Sequence, residues 1–176
     1  MIERVIIAGA GGQGIMLLGR VLAEAVMREN KYVTWFPSYG AEVRGGTAYC
    51  MVVISEQEIG SPYIDRADSL IIMNEPALIK FENRIKNKGL LIINSSLANK
   101  NINKNARILK YPFTDMAEKL GNLKVANIVA LGCYLNNNKI INTNSVIQAI
   151  EEIAPEDKKD LISINKQALK EGLALE

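Results

Sequence analysis

Histidine is absent from this sequence, and cysteine occurs only twice, at Cys50 and Cys133. Without histidine there is no common general base, no Ser–His or Cys–His nucleophile pair and no imidazole metal ligand. Two thiols far apart in sequence are too few for a four-cysteine zinc site or an iron–sulfur cluster. A disulfide is not expected in a reducing compartment, so both read as buried thiols. The spacing of ionisable residues nominates no catalytic residue and no metal ligand. No apolar run reaches the roughly 18–20 residues of a membrane span. The apolar run within the opening stretch ERVIIAGAGG is too short and too glycine-broken for a signal peptide, and Glu3 precedes it. The expectation is a cytoplasmic protein. A net charge of +2 argues for neither nucleic acid nor a membrane surface as partner.

What remains is an ordinary globular balance, with 48% hydrophobic and 23% charged residues over 176 positions. That length suits a single domain, 1–176. IERVIIAG reads as a buried strand and GGQGIMLLGRVLAEAVMREN as the helix after it. YVTWF reads as a strand stopped by Pro37, and TAYCMVVIS as another. Buried strands are predicted again at DSLIIMN and GLLIINSS, and a shorter strand at ARILKYPF. The helix predicted over EPALIKFENRIKNK has Pro76 in its first turn. NKNINKN, 99–105, reads as a solvated loop, because no aromatic residue interleaves it. From Thr114, a candidate helix cap, the pattern is helical to the end. Alternating strands and helices predict an α/β fold: a Rossmann-like, doubly wound, mainly parallel sheet with helices on both faces and a helical C-terminal third. The sheet order of a Rossmann half is expected.

Two segments stand out. GAGGQG, residues 9–14, fits G-x-G-x-x-G between a strand and a helix. In that pattern Gly9 makes the tight turn, Gly11 admits a close backbone approach and Gly14 allows close helix–strand packing. Gln13 can donate and accept, which suits a polar ligand or a neighbouring chain. The second strand, however, ends Trp35-Phe36-Pro37, with no acid for a dinucleotide ribose and no arginine for a 2′-phosphate. A packing turn, an anion or protein surface at the loop, and a true dinucleotide site remain open. The second segment, PSYGAEVRGGTAYC, is a charged, glycine-rich loop running into a strand. Its polar residues either dock on something or form an internal Glu42–Arg44 pair.

Together, GAGGQGIMLLGRVLAEA and FPSYGAEVRGGTAYCMVVIS resemble the gamma subunit of 2-oxoacid:ferredoxin oxidoreductases. The likeness continues through EIGSP (58–62), ADSLIIMN (67–74) and GLLIINSS (89–96). The SYGAEVRGG form of the loop is similar to the stand-alone gamma chain of the 2-oxoglutarate type. The resemblance implies a subunit of an enzyme that oxidatively decarboxylates a 2-oxoacid to its acyl-CoA and reduces ferredoxin. It implies alpha and beta subunits, and a ferredoxin-like delta subunit, as partners. The complex would use thiamine diphosphate, Mg and iron–sulfur clusters, with coenzyme A as substrate, none of them held by this chain alone. It also implies that Gly9, Gly11, Gly12, Gln13, Gly14, Ser38, Tyr39, Gly40, Glu42, Arg44, Gly45 and Gly46 bind a cofactor or dock on a subunit, and help position coenzyme A. Two other classes compete: a free-standing dinucleotide-dependent reductase, and a nucleotide-sensing module.

Overall fold

The computed structural model describes residues 1–38, 46–154 and 160–175. Ile2–Ala10 (β1), Tyr32–Ser38 (β2), Thr47–Ser55 (β3), Ala67–Ile72 (β4), Ile85–Asn94 (β5) and Arg107–Tyr111 (β6) form one sheet. Its order is β2-β3-β1-β4-β5-β6. The pairs β1–β4, β4–β5 and β5–β6 are parallel, whereas β1–β3 and β3–β2 are antiparallel. Five strands therefore point one way and β3 alone opposes them. The α/β, mainly parallel sheet is as expected. The Rossmann half order is not, because β3 inserts between β1 and β2.

The helices are Ile15–Arg28 (α1), Glu75–Phe81 (α2), Phe113–Lys119 (α3), Ala126–Asn137 (α4), Thr143–Ile153 (α5) and Asp160–Leu173 (α6). The central strands carry unbroken apolar runs because both sheet faces are covered. Val5, Ile7, Val52, Ile54 and Ile92 face a core built with α1, α3, α4, α5 and α6. Ile6, Ala8, Met51, Val53, Leu70 and Ile93 face a smaller core closed by α2, Ile64 and Ala98. Helix α4 is buried all along Ala126–Leu135, so it has no polar face to show. It crosses α6 at Gly132 and Gly172, where a Cβ on either glycine would run into the other helix's backbone.

Three local expectations change. β2 runs through Pro37 to Ser38, which is tolerated because β2 is an edge strand. Helix α2 stops at Phe81 and a 3-10 turn, Glu82–Arg84, leads into β5, so IKNK is strand. Its start follows the expected chemistry: Asn74 accepts from the Ala77 N–H at 3.0 Å, with Pro76 in the first turn. Thr114 is not a cap but the second residue of α3, and it is bonded to Asn94.

Candidate functional site

Strand register brings the two marked segments to one end of the sheet. Ala10 pairs with Thr47, and Ser38 with Tyr49. Ser38 ends β2 and the exposed Gly46 precedes β3, so both flanks of segment 39–45 emerge at the end of the sheet where β1 finishes. Tyr39, Gly40, Glu42, Arg44 and Gly45, and with them any Glu42–Arg44 pair, lie outside the described residues.

Within 9–14 the glycines divide the work differently from the expectation. Gly9 lies inside β1 and makes no turn; a Cβ there would sit 2.6 Å from Gln13 Oε1 and 2.9 Å from Met73 Cβ. The left-handed backbone falls on Gly12 (φ 85°) and Gly14 (φ 71°), conformations that favour glycine. A Cβ on Gly14 would overlap the side-chain amide of Asn127, whereas one on Gly12 would meet nothing within 4 Å among the described residues. Gly11 and Gly12 are exposed. Close packing at Gly14 is thus against α4, not only between the loop's own helix and strand.

Gln13 does not offer its amide to a ligand. Its Oε1 accepts from the Ala10 N–H at 2.7 Å and its Nε2 donates to the Met73 carbonyl at 3.2 Å. The same carbonyl accepts from Asn94 Nδ2 at 3.1 Å. Asn94, fully buried, also donates to Thr114 Oγ1 at 2.8 Å. A line of amides therefore ties the ends of β1, β4 and β5 to α3. Asn127, 1% exposed, donates to the Gly14 carbonyl at 3.0 Å and accepts from the Ile128 N–H at 2.9 Å. Asn94 and Asn127 were not singled out in the sequence. Their available signal is a lone amide inside an otherwise apolar stretch, as in VANIVALG.

Between the loop and α3 lies a cleft of about 190 Å³, lined among others by Gly12, Met73, Leu97, Thr114, Leu123 and Lys124. Leu97 and Leu123 are 46% and 56% exposed. The cleft sits where β1 sends α1 to one face and β4 sends α2 to the other, the switch point at which open α/β sheets take ligands. Helix α1 starts there with Gly14 as its cap, no capping side chain and no acid in its first turn. Its first N–H groups suit an anion or a carbonyl. Lys124 is the one charge among the described lining residues; none of these is a carboxylate or a thiol. Among the described lining residues only Lys124 is of a type that exchanges protons in catalysis.

A dinucleotide fits this geometry poorly. The strand beside β1 is the antiparallel β3, and β2 lies one strand further out. At roughly 4.8 Å per strand, the end of β2 stands about 10 Å from β1 instead of next to it. Cys50 and Cys133 are free and buried, and burial pushes both thiols up to about 12, so neither supplies a thiolate. Among the described residues no group of three or more Cys, Asp or Glu is placed to hold a metal ion. Among them, too, no helix is long and apolar enough to cross a membrane.

Residues 4–175 match the family described as pyruvate ferredoxin/flavodoxin oxidoreductase. The chain is 38% identical over 132 residues to the ketoisovalerate oxidoreductase subunit VorA of Methanothermobacter marburgensis, covering 75% of this chain but only 28% of that subunit's length. It is 33% identical over 172 residues to the 2-oxoglutarate synthase subunit KorC of Methanocaldococcus jannaschii, covering 94% of this chain and 92% of the relative. Among solved structures, the keto/oxoacid ferredoxin oxidoreductase gamma subunit from Geobacter sulfurreducens superposes with a TM-score of 0.85 at 28% identity, over 97% of this chain and 95% of that one.

Proposed function

The chain belongs to the pyruvate ferredoxin/flavodoxin oxidoreductase family, and on that premise we propose that it is the gamma subunit of a 2-oxoacid:ferredoxin oxidoreductase, of the 2-oxoglutarate type. In this reading the assembled enzyme converts a 2-oxoacid to its acyl-CoA and reduces ferredoxin. The isolated chain has no activity of its own. The observation that carries the reading is the match to a 2-oxoglutarate synthase subunit over nearly the whole of both chains. A histidine-free sequence with two buried thiols fits that division of labour. The alpha and beta subunits, with a ferredoxin-like delta chain, hold the thiamine diphosphate, Mg and iron–sulfur clusters, and ferredoxin takes the electrons.

The role of this chain is structural and positional. The open side of Gly12, the two exposed leucines and Lys124 form a docking place for a neighbouring subunit or for part of coenzyme A. Ser38 and Gly46 border the same end of the sheet, and Arg44, which lies between them in sequence, is an arginine that suits a phosphate or a carboxylate. Co-purification from the native host tests the reading. Thiamine-binding partner chains should accompany this one, and the complex should reduce ferredoxin only with 2-oxoglutarate and coenzyme A both present. A chain that purifies alone, or that binds NAD at micromolar concentration by calorimetry, contradicts it.

A further inference from the structure

At the other end of the sheet, we propose, the chain carries a second docking surface: a cationic cleft that receives paired carboxylates of a partner protein. The inference stands apart from the function proposed above and uses none of its residues.

The charge of this chain is unevenly placed. Between Pro76 and Lys110 the sequence has eight lysines and arginines and a single acid, Glu82. That stretch carries +7 in a chain of net charge +2, so the remainder carries −5. Folding concentrates part of the excess. Arg66 stands just before β4, Asn83 just before β5 and Lys104 just before β6. They border a cleft of about 390 Å³ with Lys86, Asn87, Asn105 and one acid, Glu82.

The partners of these cations are unusual. Lys86 meets Asp68 at 2.5 Å, and Glu82 is taken by Lys100 at 2.7 Å. Arg66 and Lys104 form no ion pair among the described residues. Both turn to the same neutral residue: Arg66 donates to the Asn83 carbonyl at 2.9 Å, and Lys104 Nζ to Asn83 Oδ1 at 2.5 Å. Two like charges are thus drawn onto one uncharged residue, and with Lys86 against the single acid Glu82 they leave the lining net positive, which an anion would relieve. Arg84, beside Asn83, likewise has no carboxylate; it bonds the carbonyls of Ile64 and Asp65 and lies over the Tyr63 ring, 5.2 Å from its centre. Tyr63 itself is 59% exposed. The rim at Asn87-Lys88 is held in place by a left-handed backbone at Lys88 (φ 63°), whose N–H donates to the Asn105 carbonyl at 2.6 Å.

The chemistry favours a protein over a small ligand. The lining is charge and amide with only Ile85 as an apolar floor, so there is no wall for a base or an acyl chain. Arginine, tyrosine and amides beside an open cationic cleft are the composition of a protein-binding patch, with electrostatic complementarity setting orientation and on-rate.

The test uses the full chain, a short oligoglutamate peptide as probe, and amide chemical shifts at low ionic strength. Shifts should concentrate at Arg66, Asn83, Asn87 and Lys104, and should fade as salt is added. Arg66→Ala/Lys104→Ala should keep the wild-type melting temperature and bind the peptide about tenfold more weakly, as two rim charges allow. Lys119→Ala/Lys170→Ala should bind it as wild type does. If the alanine pair unfolds the chain, Arg66→Gln/Lys104→Gln takes its place. Shifts scattered over all the lysines, or unchanged binding by the double variant, would overturn the proposal. So would tighter occupation of these residues by inorganic pyrophosphate or by oligothymidylate.

Discussion

The two ends of the sheet handle their polar groups in opposite ways. Where β1 ends, amides close on backbone: Gln13, Asn94 and Asn127 are each bonded to it, and Lys124 is the one charge among the described residues lining the cleft. What is left open there, among the described residues, is the side of Gly12 where a Cβ would meet nothing, and two exposed leucines. Where β4, β5 and β6 begin, the frame is made of charges, and two of them rest on neutral oxygens. The contrast separates what holds the fold from what is free to meet another molecule. A buried amide with both ends bonded specifies a loop. A cation without a carboxylate specifies a contact.

That contrast is most severely tested at Gly14, where frame and loop coincide. Gly14→Ala would force a methyl into the Asn127 amide in a left-handed conformation. The expected loss is about 2–4 kcal/mol, from the backbone penalty and overpacking together, read by urea denaturation. A loss below about 1 kcal/mol would mean that the loop yields easily and is no frame.

Asn94→Ala comes next. It strips the Met73 carbonyl of one donor and the Thr114 hydroxyl of its own. Leaving buried groups short of partners should cost about 1–3 kcal/mol, with α3 the first element to lose hydrogen-exchange protection.

A smaller effect with a definite sign belongs to Glu3, at the start of β1. Its Oε1 accepts from Ser69 Oγ at 2.6 Å and Asn138 Nδ2 at 2.8 Å. Burial raises its carboxyl above the ordinary 4.5, against the pull of the Ser69 hydrogen bond. The native state therefore keeps this proton to higher pH than the unfolded chain does. Its contribution is full below about 4.5 and is lost as pH rises through the native value. Glu3→Gln should accordingly gain on wild type in melting temperature between pH 4 and pH 7. A constant difference across that range would deny the raised value.

Much of this was legible in the sequence. The β1–loop–α1 unit could be read because a β-branched run, a glycine cluster and a 3.6-residue period lie side by side. The insertion of β3 could not, since strand neighbours are chosen by hydrogen bonding across the sheet and not by chain order. Pro37 looks like a stop until β2 is known to be an edge. Gln13 looks like a ligand group until Met73, sixty residues away, is found to hold it. The basic excess from Pro76 to Lys110 is visible as composition, but only the fold shows which of its charges lack an acid.

The account rests on the cleft beside Gly12 being a place of contact, and Gly12→Asn measures that most directly. Asparagine tolerates the left-handed backbone, and its Cβ would meet nothing within 4 Å among the described residues, so stability should change by no more than about 1 kcal/mol. The measurement is coenzyme A-dependent oxidation of 2-oxoglutarate by the complex co-purified with the variant chain, beside its melting curve. The account predicts a chain that melts as wild type does but assembles poorly, or turns over slowly with a raised KM for coenzyme A. A variant complex that assembles fully and turns over at the wild-type rate across coenzyme A concentrations would contradict it.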